Sequence, residues 1–306
     1  MPVDPAFTAL LADKRSELRP PPAHVTADVM RAGNKAYLVT APKTPIHAVE
    51  DRVLPGPAGP LNVRIYRPAS GIQLPVIVFC HGGGFVLGDL DTHDSICHRL
   101  AHSSGCAVIA VDYRRAPETR FPGALDDCTA ALRWVAHNAA SLHLDGGRLA
   151  LCGDSAGGQL AAATALRARR DGPAVRHVAL LYPMVDPACE TASMHAFARG
   201  HLLARDGVQW AWSQYLSEPA DAANPLVSLL RAELTAFPPT SVVTAECDPL
   251  RDEGETFADR LRAAGVAVTA RRYTGMVHGF AGLPQITPVA SQAIDDVAAD
   301  IRKSLA

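Results

Sequence analysis

No stretch of this chain approaches the ~20 consecutive apolar residues that span a membrane. Lysine and arginine number 29 against 31 acidic residues, a formal charge of −2, and no basic run interrupts that balance. An electrostatic footprint for nucleic acid is therefore missing. The N-terminus, residues 1–7, lacks the basic-then-apolar signature of a signal peptide, and the reading is a cytoplasmic protein without a membrane span. The seven cysteines, at positions 80, 97, 106, 128, 152, 189 and 247, are odd in number and include no C-x-x-C pair. Several lie inside apolar runs, where a reduced thiol behaves as a small hydrophobe. Cys247 stands apart because it precedes a candidate site residue. Neither G-x-G-x-x-G nor a Walker lysine is present, which weakens a phosphate-cradling reading of the glycine runs.

What the chain does have is length and pattern. Its 306 residues, 48% hydrophobic and 20% charged, suffice for a large core. Residues 1–45 carry helical spacing at Phe7, Leu10, Leu11 and Leu18, broken by Pro20, Pro21 and Pro22, and predict a helical appendage. Runs 48–53 and 61–66 alternate apolar and polar residues, as half-exposed antiparallel strands do. Runs 76–80, 107–111, 149–152, 178–181 and 242–245 are almost wholly apolar, the mark of strands buried on both faces. Helical stretches near 93–103, 122–138, 156–169, 251–264 and 289–304 alternate with them, and 266–273 supplies a last strand. The expectation is one α/β domain over 1–306: a mainly parallel eight-stranded sheet flanked by helices. Between 187 and 230 no parallel-strand signal appears. Residues 201–216 read as a helix dense in aromatics, an insertion placed over the ligand edge of the sheet.

Gly153-Asp154-Ser155-Ala156-Gly157 lies between an apolar strand and an alanine-rich helix. Gly-x-Ser-x-Gly in that setting is the nucleophile elbow of α/β-hydrolases. Side chains at 153 and 157 would collide with the neighbouring strand and helix, and the sharp turn exposes the serine hydroxyl. Acyl transfer also needs a base, an acid to orient it and donors for the oxyanion. Asp248 follows the strand 242–246, and Pro249 presents it at a loop tip. Asp252 and Glu246 are rivals, one on the next helix and one still in the strand. His278 follows the last strand between glycines, and the order Ser, Asp, His is that of α/β-hydrolases. After strand 76–80 comes His81-Gly82-Gly83-Gly84-Phe85, whose backbone amides, with that of Ala156, are the candidate oxyanion donors. His81 is assigned to bracing the loop. His98 and His102, four apart with His93 before them, lack a zincin glutamate and a third ligand, so no metal is expected and a solvated helix face is.

Five ordered motifs resemble those of the hormone-sensitive-lipase-like esterases, bacterial family IV, and cover about 62–282. They are H-G-G-G-F with Gly88 and Asp89; Asp112 to Glu118 leading to Phe121 and Pro122; G-D-S-A-G-G; Tyr182, Pro183 and Met184; and Asp248 to Glu253 with 276–280. The G-D-S-A-G form resembles the subgroup with aspartate beside the nucleophile, and Arg115 departs from a commoner leucine. The resemblance implies a serine carboxylesterase of short-to-medium acyl chains, without cofactor, using Ser155, Asp248 and His278. It places the oxyanion donors at Gly83, Gly84 and Ala156, a cap over about 1–45 and 187–230, and a homodimer through 266–273. Two alternatives remain: an amide or other acyl hydrolase, and a ligand-binding protein on the same fold, against which the presence of His278 weighs.

Overall fold

A computed structural model describes residues 2–13, 16–71 and 73–306; Met1, Lys14, Arg15 and Ile72, and the side chain of Tyr37, lie outside the description. Eight strands form one sheet: β1 Ala48–Gly56, β2 Gly59–Arg67, β3 Leu74–Cys80, β4 Ala107–Val111, β5 Leu144–Asp154, β6 Val175–Leu181, β7 Thr240–Cys247 and β8 Val268–Val277. Their order is β1-β2-β4-β3-β5-β6-β7-β8. β2 runs antiparallel to β1 and β4, and every other pairing is parallel.

The near-continuous apolar runs are explained by two covered faces. Val76, Val78 and Cys80 of β3 point into one core, shared with Leu125, Leu132 and Leu160 from helices α4 (Gly123–Asn138) and α5 (Ala156–Asp171). The alternate residues Ile77 and Phe79 point into the other, shared with α3 (Asp94–Ser104) and α9 (Val289–Leu305). Each fully buried valine or isoleucine there contributes about 1.5–3 kcal/mol of burial. A charge in either register would strand itself in apolar surroundings. All seven cysteines sit in these interiors with no disulfide between them. Cys247 is among them, only 1% exposed at the end of β7.

The predicted helices and strands are present, several with shifted ends, such as β5 starting at Leu144 and β8 running on to Val277. The last strand starts at Val268, because Gly265 (φ 81°) and the segment after it turn out of α8 (Arg251–Ala263) before pairing begins. The aromatic helix α7 is Arg205–Tyr215 rather than 201–216. Leu202 sits at φ 68° and Leu203 bridges Leu18, so 201–204 is non-helical chain spliced to the N-terminal arm. That arm contains α1 (Thr8–Ala12) and α2 (Ala27–Leu38). α2 starts where the Thr26 hydroxyl caps the Val29 amide, a bond that satisfies one orphan donor of the first turn. The insertion adds the short α6 (Ala192–Ala196) before α7. Arm and insertion meet through Leu18, whose amide donates to Leu202 (2.7 Å) and whose carbonyl accepts from Ala204 (3.1 Å). No helix among the described residues is long and apolar enough to cross a membrane.

Candidate active site

Sheet order fixes which loops can meet. β3 and β5 are neighbours, with Cys80 opposite Gly153, so the glycine loop and the serine turn leave the sheet side by side. β7 and β8 are neighbours at the other end, with Cys247 opposite Val277, so Asp248 and His278 emerge together.

Ser155 stands at φ 54°, ψ −121°, a conformation that costs an L-residue of order 1–3 kcal/mol and is held by its surroundings. Its amide donates to Leu181 (2.8 Å), and its carbonyl accepts from Gly158 (3.0 Å) and Met184 (3.1 Å). The close approach expected at Gly157 is real. A Cβ there would stand 2.5 Å from the His81 carbonyl oxygen and closer still to that of Cys80.

His278 Nε2 lies 2.9 Å from Ser155 Oγ, and its Nδ1 lies 2.8 Å from Asp248 Oδ2. Asp248 is fully buried, and its other oxygen accepts the Leu250 amide at 2.8 Å. With the aspartate accepting at Nδ1, the neutral ring presents Nε2 as an acceptor to the serine O–H. Tyr182 meets the ring edge-on, centroids 5.0 Å apart. The rival carboxylates are committed elsewhere. Asp252 accepts from the Ser193 amide (2.7 Å) and Glu246 from the Gly275 amide (2.8 Å).

In the glycine loop, Gly83 adopts φ 117° and Gly84 φ 61°, and a Cβ on Gly83 would come within 2.5 Å of the Leu87 backbone. The His81 ring donates from Nδ1 to the Gly82 carbonyl (2.9 Å) and stacks on Tyr113 at 4.1 Å. Tyr113 in turn donates to the His81 carbonyl (2.7 Å). Burial first, and the neighbouring His93 second, push the His81 pKa down to about 3, so the ring is neutral at physiological pH.

Two residues of this loop's support were not singled out from sequence. The Asp154 carboxylate accepts the Gly82 amide at 2.8 Å, and His93 Nε2 lies 3.3 and 3.4 Å from the two Asp154 oxygens. Both residues are buried. Burial by itself would raise Asp154 and lower His93; each pulls the other the opposite way and prevails, leaving Asp154 below and His93 above the ordinary value. Asp154 inside the serine motif was the available signal. For His93 the expectation of a solvated helix face is corrected; of its neighbours, His98 is half-buried and His102 is exposed as expected. His98 Nδ1 bonds the Thr44 carbonyl (2.9 Å) and His102 Nδ1 that of Pro45 (3.3 Å), pinning the chain that follows α2.

The arm and the insertion lie over this loop. A Cβ on Gly84 would stand 3.0 Å from that of Ala211 in α7 and 3.7 Å from Leu18. Phe85 stacks on Tyr215 with centroids 3.9 Å apart and an interplanar angle of 7°. Arg31 of α2 donates to the carbonyls of Val86 (2.9 Å) and Ala116 (2.8 Å) and forks onto Glu118 (2.9 and 2.7 Å). Arg115 reaches the Gly88 carbonyl at 2.5 Å, bracing the limb by which the loop returns.

Residues 77–282 match a protein-family model described as alpha/beta hydrolase fold. The chain is 41% identical to the carboxylic ester hydrolase LipN of Mycobacterium tuberculosis, over 90% of this chain and 76% of that one. It is 40% identical to an ethyl acetate hydrolase of Pseudomonas putida, over 76% of each. Among solved structures, a hyperthermophilic esterase from the archaeon Pyrobaculum calidifontis superposes with a TM-score of 0.94 at 42% identity, covering 99% of both chains. With the motifs, the sheet order and these likenesses in agreement, the chain belongs to the hormone-sensitive-lipase-like esterases, the family IV carboxylic ester hydrolases of α/β-hydrolase fold.

Proposed function

We propose that this chain hydrolyses carboxylic esters of short-to-medium acyl chains by a two-step acyl transfer on Ser155. The observation that carries the reading is the unbroken relay from Asp248 through His278 to the Ser155 hydroxyl, at 2.8 and 2.9 Å. His278, oriented by Asp248, takes the serine proton as the oxygen attacks the ester carbonyl. The carbonyl oxygen gathers charge and settles on the amides of Gly83, Gly84 and Ala156; the last opens α5, where the helix dipole favours a negative charge. The imidazolium then returns the proton to the leaving alcohol, and water repeats the cycle on the acyl-enzyme. His81 braces the loop from below.

The arm (about 1–45) and the insertion (187–230) act as one cap over the acyl site of a single domain. The short-chain preference is supported by the closeness of Ala211 and Leu18 to Gly84, and by likeness to a relative named for ethyl acetate. β8 forms an open edge of the sheet, which supports pairing with a second copy through about 266–273. Light scattering reading only a monomer mass would remove that dimer.

Hydrolysis of p-nitrophenyl esters from acetate to palmitate, by wild type and Ser155→Ala, tests the main reading. A Ser155-dependent optimum at short or medium chains is expected. A folded protein inactive on every chain would instead promote an amide hydrolase or a ligand-binding role.

A further inference from the structure

The residue directly before the nucleophile carries a charge of the wrong sign. Asp154 is one residue from Ser155 in sequence, and its carboxylate holds the amide of Gly82, one residue from Gly83. An unpaired carboxylate buried there opposes every negative charge that gathers on the glycine-loop amides.

Hydrogen bonds around Thr92 place one of the His93 protons. Thr92 Oγ1 donates its hydrogen to the Asp89 carbonyl (2.9 Å) and accepts the Asp89 amide (2.8 Å). Toward His93 Nδ1, 2.9 Å away, it therefore offers a lone pair, and Nδ1 carries a hydrogen. Among the described residues, the amide that approaches Nε2 is that of Gly82, with its nitrogen 3.2 Å away, and its shorter bond is the one to Asp154. Nε2 thus faces both carboxylate oxygens, a contact that needs a proton between ring and carboxylate, and the lowered Asp154 and raised His93 put that proton on the ring. The third titratable neighbour, His81, is 5.4 Å away between ring centroids and stays neutral. Asp89 adds to the pull that keeps His93 protonated.

We propose that His93 is a positioning residue of the esterase reaction: as a buried imidazolium it cancels the charge of Asp154, so that the carboxylate can hold the glycine loop without opposing the oxyanion. The role rests on the reading of Gly83, Gly84 and Ala156 as oxyanion donors and adds to it the source of their electrostatic neutrality. A buried pair of this kind is weak evidence of net stability, but removing one partner leaves an uncompensated buried charge. The two partners are therefore unequal in what their loss does. Without His93 the carboxylate remains. Without the carboxylate, as in Asp154→Asn, His93 gives up its proton and the seat stays neutral.

The test is kcat and KM for His93→Leu, Asp154→Asn and the double variant, with thermal midpoints measured alongside. His93→Leu is expected to lower kcat roughly tenfold to a hundredfold, short of the ~10²–10³ seen for loss of a direct oxyanion donor, with KM little changed. Asp154→Asn should cost less, and adding it to His93→Leu should restore part of the lost kcat. A purely structural pair predicts a double variant no better than His93→Leu, and that result overturns the proposal. Should the variants fail to fold, ¹⁵N NMR of the wild-type His93 ring at neutral pH decides: both nitrogens protonated supports the imidazolium, and a neutral ring overturns it. A neutral His93 in an enzyme still dependent on Ser155 defeats this inference alone. Turnover independent of Ser155 defeats the mechanism beneath it.

Discussion

Two histidine–aspartate pairs flank Ser155, and they are connected in opposite senses. Asp248 holds Nδ1 of His278 and leaves Nε2 facing a hydroxyl. Thr92 holds Nδ1 of His93, and Nε2 faces the Asp154 carboxylate. On the readings proposed above, the same two residue types give a base in one place and a fixed cation in the other. The nitrogen left over decides the chemistry, and the loop that carries each ring decides which nitrogen is left.

The sharpest way to break this comparison is to neutralise each aspartate in turn. Asp248→Asn keeps the shape but reverses the preferred tautomer of His278, and kcat should fall by about 10⁴. Asp154→Asn should cost less than about tenfold, because its histidine can lose a proton in compensation. Equal losses in steady-state kinetics would erase the distinction drawn between the pairs.

The stability of the second pair has a defined pH window. Asp154 titrates below the ordinary aspartate range, so its contribution is present above about pH 4 and is lost as pH falls through its folded value. His93 titrates above the ordinary histidine value, so its contribution is present below about pH 6.5 and is lost as pH rises through its folded value. The gap in thermal midpoint between wild type and the His93→Leu/Asp154→Asn double variant should therefore be most favourable to wild type between those limits. A gap constant from pH 3 to 10 would show that the pair does not titrate as described.

Glu253 sharpens the contrast from the other side, as a buried carboxyl that forms no ion pair among the described residues. One oxygen accepts the Val185 amide at 2.6 Å, the other has no partner among the described residues, and burial pushes the group well above the usual carboxylate range. A raised carboxyl favours the fold at low pH and costs stability as pH climbs past about 4.3. Glu253→Gln should thus stabilise by about 1 kcal/mol or more at pH 8 and be near neutral at pH 4, read from denaturant midpoints.

The smallest effect is expected in the cap. α7 is held by stacked rings and the N-terminal arm by Arg31, so Arg31→Ala should raise KM less than about tenfold with kcat retained. Added salt should weaken the arm of the wild type and leave the ring contacts unaffected.

The placement of Ser155, Asp248, His278 and the glycine loop was legible because each sits at the carboxyl end of an apolar strand. A strand end is a local signal. His93 was illegible for the opposite reason. It precedes α3, its partner lies 61 residues away, and nothing local separates it from His98 and His102. All three were expected on one solvated face, and all three bond to other segments. The start of α7 was overrun because 201–204 has the composition of a helix, while the pairing that keeps it out of the helix comes from Leu18, far upstream. Long-range partners, rather than propensity, decided the departures at His93 and at the start of α7, while the late start of β8 follows from the local turn at Gly265.

The seven enclosed thiols make the chain its own recorder of opening. Burial raises Cys97, Cys128 and Cys152 well above the normal thiol range, so in the closed state they resist alkylation both by enclosure and by the scarcity of thiolate. A thiol reagent supplied slowly labels each one only as its layer parts from the sheet, in proportion to how often that layer is open. Mass spectrometry of the labelled positions would then rank the layers by local stability, with Cys97 reporting for α3, Cys128 for α4 and Cys152 for the strand that carries Ser155.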